Sequence, residues 1–144
     1  MDIVLDTSVL VAGLRSNKGA SHNILTRLSD CEFRILLSVP LLIEYEAVLK
    51  RPEHLSATGL DAADIDTILD MIAANAKPVR LHYLWRPMLR DPSDDMVGEL
   101  AVAGSAKILV TLNIRDFRSL TRSFGIPVHS PGEFVTMLSE DKSR

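Results

Sequence analysis

Apolar residues fall along this chain in two kinds of run. Ile3-Val4-Leu5, Phe33 to Val39 (FRILLSV) and Lys107 to Leu112 (KILVTL) are short and nearly continuous, with no polar alternation, and predict strands buried on both faces. Pro78 to His82 and Ile126 to Ser130 are weaker strand candidates. Between them the apolar spacing turns helical. Ile24, Leu25 and Leu28 mark a helix within Ser21 to Asp30, and Ser38 with Pro40 signals the start of another carrying Leu41, Tyr45, Val48 and Leu49 on one face. Asp61 and Asp64 form a capping pair ahead of Ile65, Ile68, Leu69 and Ile72. Val9 to Leu14 reads as a short helix or turn, and Arg51 to Gly59 as a loop. Asp91-Pro92-Ser93-Asp94-Asp95 opens a helix running to Gly104, and Pro131 opens a last one to about Leu138.

Strands that alternate with helices and are apolar on both faces make an α/β fold, a parallel sheet covered by helices on each side. Ligands in such folds bind beyond the carboxyl ends of the strands, which directs attention to acids just after strands. Asp6 directly follows the first strand, Glu44 lies early in the helix after the second, and Asp116 lies past the end of KILVTL. Asp95 sits in the first turn of the helix that precedes KILVTL. Glu44 borders the stripe of Leu41, Tyr45 and Val48, whereas Glu46 and Lys50 form an outward i,i+4 pair. Carboxylates converging on one rim repel one another unless cations neutralise them. An all-oxygen site of that kind favours Mg²⁺ or Mn²⁺, which can support phosphodiester displacement. His22, His54, His82 and His129 are scattered, so nothing points to zinc.

Each acid also has a plain structural reading. Asp6 can form a turn, and Asp91 can cap a helix that has Pro92 in its first position. Asp94 can complete that cap, Asp95 can complement the helix dipole, and Asp116 can cap a helix starting near Phe117. Thr7 and Ser8 suit either a metal shell or a turn cap.

Length and composition narrow the class. The 144 residues, 47% hydrophobic and 24% charged, suit one globular domain over 1–144 and exclude collagen-like, disordered and disulfide-stapled chains. Cys31 is the lone cysteine, expected as a small core residue in a reducing cytoplasm. No leader is expected before the first strand, and no window reaches the ~18 apolar residues that a membrane span needs. Net charge is −3, from 16 basic and 19 acidic residues, which is unlike a nucleic-acid binder. With Asp6, Glu44, Asp95 and Asp116 set aside, 16 basic residues face 15 acidic ones. Arg15 and Lys18, in the loop after Asp6, and Arg115, Arg118 and Arg122, spaced three and four apart, are candidate phosphate contacts or solvated surface charge. Few aromatics are available for base stacking, and Trp85 in HYLWRP suits either packing or a protein contact.

Three segments carry a resemblance that spans nearly the whole chain. VLDTSVLVAGL, SVPLLIEYEAVLKRP and RDPSDDMVGELAVAGSAKILVTLNIRDF resemble the PIN-domain family, in particular the VapC-like PIN ribonuclease toxins of toxin–antitoxin pairs. SPGEF near the C-terminus also matches that branch. The resemblance implies a three-layer α/β/α fold with a parallel sheet in order 3-2-1-4-5. It places the family's first acid on Asp6, followed by the Thr7-Ser8 turn, and the second on Glu44. The third, sixteen residues before Thr111, falls on Asp95. The last acidic position is shared between Asn113 and Asp116, and since Asn113 is uncharged the ligand role falls on Asp116. Catalysis and metal binding are thus expected at Asp6, Glu44, Asp95 and Asp116, with Asp6 and Asp95 as principal ligands and Ser8, Thr111 and Asn113 in support. The resemblance further implies Mg²⁺- or Mn²⁺-dependent cleavage of single-stranded RNA, a homodimer and an antitoxin that blocks the acidic groove. An alternative is a catalytically silent PIN-like module that binds RNA or a partner. An aspartyl-phosphate phosphatase of the haloacid-dehalogenase type would need a second Asp two residues after the first, where this chain has Ser8.

Overall fold

The structure, a computed structural model, describes residues 1–30, 32–81 and 92–142. Five strands form one sheet: β1 (Asp2–Leu5), β2 (Arg34–Leu37), β3 (Ala76–Pro78), β4 (Ile108–Val110) and β5 (Val128–His129). Their order is β3-β2-β1-β4-β5 and every pairing is parallel, as expected. Ile3 lies beside Ile35 on one side and Ile108 on the other, so β1 is central. Ile3, Val4, Leu5, Leu36, Leu109 and Val110 are fully buried, which is why these strands lack polar alternation. Pro78, which has no N–H to donate, ends the edge strand β3.

The helices are α1 (Thr7–Arg15), α2 (Ala20–Thr26), α3 (Val39–Leu49), α4 (Pro52–Thr58), α5 (Ala62–Asn75), α6 (Pro92–Ala103), α7 (Arg118–Phe124) and α8 (Pro131–Lys142). They cover both faces of the sheet, giving the α/β/α layering; α6 packs on β1 and β2, while α1 packs against α2, α3 and α4. Ser38 caps α3 by accepting from the Leu41 N–H at 3.3 Å. Asp61 and Asp64 close a reciprocal capping box on α5, with bonds of 2.8 and 3.0 Å.

Several boundaries differ from expectation. Residues 51–59 are not a loop: α4 occupies Pro52–Thr58, opened by its proline and closed by Gly59 at φ +74°. No residue of α4 is buried, so it carries no apolar stripe to announce it. The third strand comes earlier than Pro78 to His82, directly after α5, and Val79 adds one more ladder bond to Leu37 (2.8 Å). The second helix is shorter than Ser21 to Asp30, and the last continues beyond Leu138 to Lys142. Asp116 is inside a 3₁₀ turn, Ile114–Phe117, and does not cap α7, whose cap position is Phe117. Cys31, His82, the Trp85 segment and Asp91 lie outside the described residues.

Candidate active site

The carboxyl ends of β1 and β4 are neighbours, because Leu5 is in register with Val110. The Asp6 N–H extends that ladder by donating to the Val110 carbonyl (2.9 Å), so Asp6 and Thr111 leave the sheet side by side. Asp6 occupies the cap position of α1, yet its side chain makes no capping bond. Instead its Oδ2 accepts from two hydroxyls, Ser8 Oγ and Thr111 Oγ1, each at 2.7 Å. Those hydroxyls are themselves fixed: Ser8 Oγ accepts from the Leu112 N–H (3.2 Å) and Thr111 Oγ1 from the Asn113 N–H (2.9 Å). Ser8, read from sequence as part of a metal shell or a turn cap, here donates to the Asp6 carboxylate. Asp6 is only 6% exposed, and among the described residues no cation pairs with it and no donor reaches its Oδ1.

A second anchor lies beneath. The wholly buried Tyr45 donates its hydroxyl to the Leu5 carbonyl, tying α3 to the last residue of β1. Burial, and then the negative charge of Asp6, push this phenol well above its ordinary range, so it stays a neutral donor. With Tyr45 and Leu41 turned to the core, the neighbouring Glu44 is left half-buried at the edge of the stripe.

A cleft of about 620 Å³ opens at the carboxyl ends of β1 and β4. Asp6 and Glu44 both line it, as do Ser8 and Asn113. Of the adjacent acids on α6, Asp94 lines the cleft, while Asp95 is 2% exposed and does not. The apolar stripe of α6 does not separate the two, since residues 97–101 are all buried, and it was the family spacing that selected Asp95. Asp116 is exposed in the 3₁₀ turn and is not part of the cleft lining. Among the described residues no group of three or more His, Cys, Asp or Glu side chains is gathered closely enough to hold a metal ion. Of the candidate phosphate contacts only Arg15 lines the cleft; Lys18, Arg115, Arg118 and Arg122 are exposed elsewhere. Arg51, which the sequence did not single out, lines it too.

The sequence pattern of the PIN domain family matches residues 2–115, from β1 through the turn that follows β4. The chain belongs to the PIN domain family. The matched span includes Asp6, Glu44, Asp94, Asp95, Thr111 and Asn113, and stops one residue before Asp116. The fold of this PIN domain is similar to a chain of VapBC2 from Rickettsia felis bound to a DNA fragment from their promoter. There the TM-score is 0.60 at 19% identity, over 90% of this chain and 98% of that one. It is similar also to VapBC-1 from nontypeable Haemophilus influenzae, with TM-score 0.61 and 14% identity over 92% and 99% of the two chains. DNA-bound VapBC from Salmonella typhimurium gives 0.60 and 13%, over 91% and 98%. No curated protein matches the chain in sequence.

Proposed function

We propose that this chain, a single PIN domain over residues 1–144, is a metal-dependent endoribonuclease and the toxin of a toxin–antitoxin pair. The observation that carries the reading is Asp6, a nearly buried carboxylate held by two neutral hydroxyls at the rim of a cleft shared with Glu44. A buried anion without a protein cation is costly unless another cation completes it.

The donor set fits a hard divalent ion. Both groups bonded to the Asp6 carboxylate are hydroxyls, and Asp6 Oδ1 takes no bond from any described residue. Mg²⁺ characteristically uses one or two protein carboxylates and completes its shell with water and substrate phosphate, so it needs no cage of three side chains. Asp6 and Glu44 would hold it, with Asp94 the acid on α6 that lines the same cleft. Asp95, buried on α6, and Asp116, on the 3₁₀ turn, belong to this proposal as the acids that the family resemblance assigns. Mn²⁺ suits the same oxygens. A divalent ion bound there supplies acidification of water and offsets charge on the phosphate being displaced.

The chain's own groups have distinct work. Ser8 and Thr111 fix the Asp6 carboxylate in one orientation. Tyr45 holds the start of the site to the helix that presents Glu44. Arg15 offers a guanidinium to a backbone phosphate. The VapBC likeness supports a protein antitoxin as partner, and the reading further takes the chain to be a cytoplasmic homodimer; no helix among the described residues is long and apolar enough to cross a membrane.

The test is cleavage of a panel of single-stranded and structured RNAs with Mg²⁺ or Mn²⁺, using wild type, Asp6→Asn and an EDTA control. Cutting by wild type alone, lost with EDTA, is the expected result. Equal cutting by Asp6→Asn would remove the assignment, and metal binding without turnover on any RNA would favour the silent binding module.

A further inference from the structure

The cleft is lined by two helical stripes that share one pattern. Along α1 these are Ser8, then Val11 and Ala12, then Arg15; along α3 and just beyond it they are Glu44, Val48 and Arg51. Each stripe begins at the carboxylate end of the cleft, passes over small or apolar side chains, and finishes at an arginine. Arg51 continues the helical spacing because its N–H donates to the Val48 carbonyl (3.2 Å), although the chain is already turning into α4 there. Both arginines line the one cleft, and α1, which carries Arg15, packs against α3 and α4, between which Arg51 lies. Both are exposed, and neither forms an ion pair with a described residue. Lys50, by contrast, is committed to Asp66 at 2.6 Å and Glu46 at 3.7 Å.

Seven residues along a helix span about 10 Å. An arginine set two turns beyond the acid on the same cleft wall can meet a phosphate other than the one being cut. Arginine binds phosphate through a planar fork, and the low apolar floor between acid and arginine leaves room for the strand to pass. Taking the nuclease reading as given, we propose that Arg51 is a substrate-positioning residue, which with Arg15 grips the RNA backbone on one side of the scissile bond. Phosphate contacts of this kind set register and affinity without reading sequence. They also explain how an acidic site in a chain of net charge −3 retains a polyanion.

The experiment is fluorescence anisotropy of a labelled single-stranded RNA, titrated with the full chain across a salt series, with Asp6→Asn as the background in every protein so that nothing is cut. Arg51→Gln should weaken binding about tenfold and reduce the salt slope by about 0.7, the change for one phosphate contact to a single strand. Arg51→Lys should restore the slope while recovering only part of the affinity. Lys107→Gln, at the amino end of β4, removes the same charge away from the cleft and should leave the slope unchanged. In the cleaving protein, Arg51→Gln should raise KM and leave kcat within about twofold. Binding by the background protein with an unchanged slope in Arg51→Gln would overturn the inference and leave the nuclease reading standing. Absence of RNA binding by the background protein and by wild type would overturn both.

Discussion

Strand β1 carries an aspartate at each end, and the two are treated in opposite ways. Asp2, at the amino end, is surrounded by the protein's own cations: Arg34 from β2 at 3.0 Å and Lys77 from β3 at 3.6 Å. Asp6, just past the carboxyl end, is more deeply buried and meets only hydroxyls. Burial raises the cost of a charge, so a chain optimised for stability alone would have placed its cations the other way round. The end of the sheet that the fold leaves uncompensated is the one where parallel α/β sheets bind ligands. The difference separates an acid that completes the structure from an acid that waits for something to complete it.

The largest test of that contrast is Asp6→Asn. Asparagine keeps the shape and can still accept from Ser8 and Thr111, so unfolding free energy should stay within about 1 kcal/mol of wild type by urea titration. RNA cleavage should fall by at least about a hundredfold, beyond what loss of an outer-shell partner costs a metal site. Unchanged cleavage would make Asp6 another structural acid. Next in size is Thr111→Val, which keeps the buried volume and removes one of the two donors to Oδ2. Affinity for Mn²⁺, measured by calorimetry, should drop about tenfold, with cleavage following it. Ser8→Ala should act in the same direction.

Much of this was legible in the sequence, for identifiable reasons. Strands buried on both faces leave a continuous apolar signature, so β1, β2 and β4 and their parallel pairing were readable, while the strand order came only from the family resemblance. Capping chemistry is local, so Ser38, Asp61 and Asp64 could be seen directly. The helix α4 left no trace because none of its residues is buried, and the cleft position of Arg51 was lost with it. Family spacing pointed to Asp95, but whether that acid or Asp94 meets the cleft depends on the rotation of α6, which a helix buried over 97–101 does not encode in its apolar stripe. The pairing of Thr111 with Asp6 is a tertiary fact across 105 residues, fixed by strand register.

A smaller effect tests the link between the site and the core. Tyr45→Phe removes the hydroxyl that binds the Leu5 carbonyl and leaves that buried acceptor with one partner fewer. The loss should be about 1 kcal/mol in urea unfolding with an unchanged m-value. Cleavage should fall less than in Thr111→Val, since the phenol ties α3 to β1 but does not line the cleft.

The smallest effect belongs to the other end of β1 and has its own signature in pH. The hydrogen bond from Arg34 outweighs the opposing cost of burial and, with the charges of Arg34, Lys77 and the N-terminus, holds the Asp2 carboxyl below its ordinary value of 3.8. A carboxyl depressed in the folded state binds its proton more readily when unfolded, so it contributes stability above that ordinary value and loses it as pH falls through the folded one. Asp2→Asn should therefore destabilise at neutral pH by no more than about 1 kcal/mol, because its partners are half in water and screened. The difference from wild type should shrink in high salt, begin to fall as pH drops below 3.8, and vanish only below the lower folded value, where wild-type Asp2 loses its own charge. Urea titrations of both proteins at neutral and acid pH, in low and high salt, measure this. Divalent ions should leave the Asp2→Asn difference untouched, because the charge at that end of the strand already has its cations in the chain.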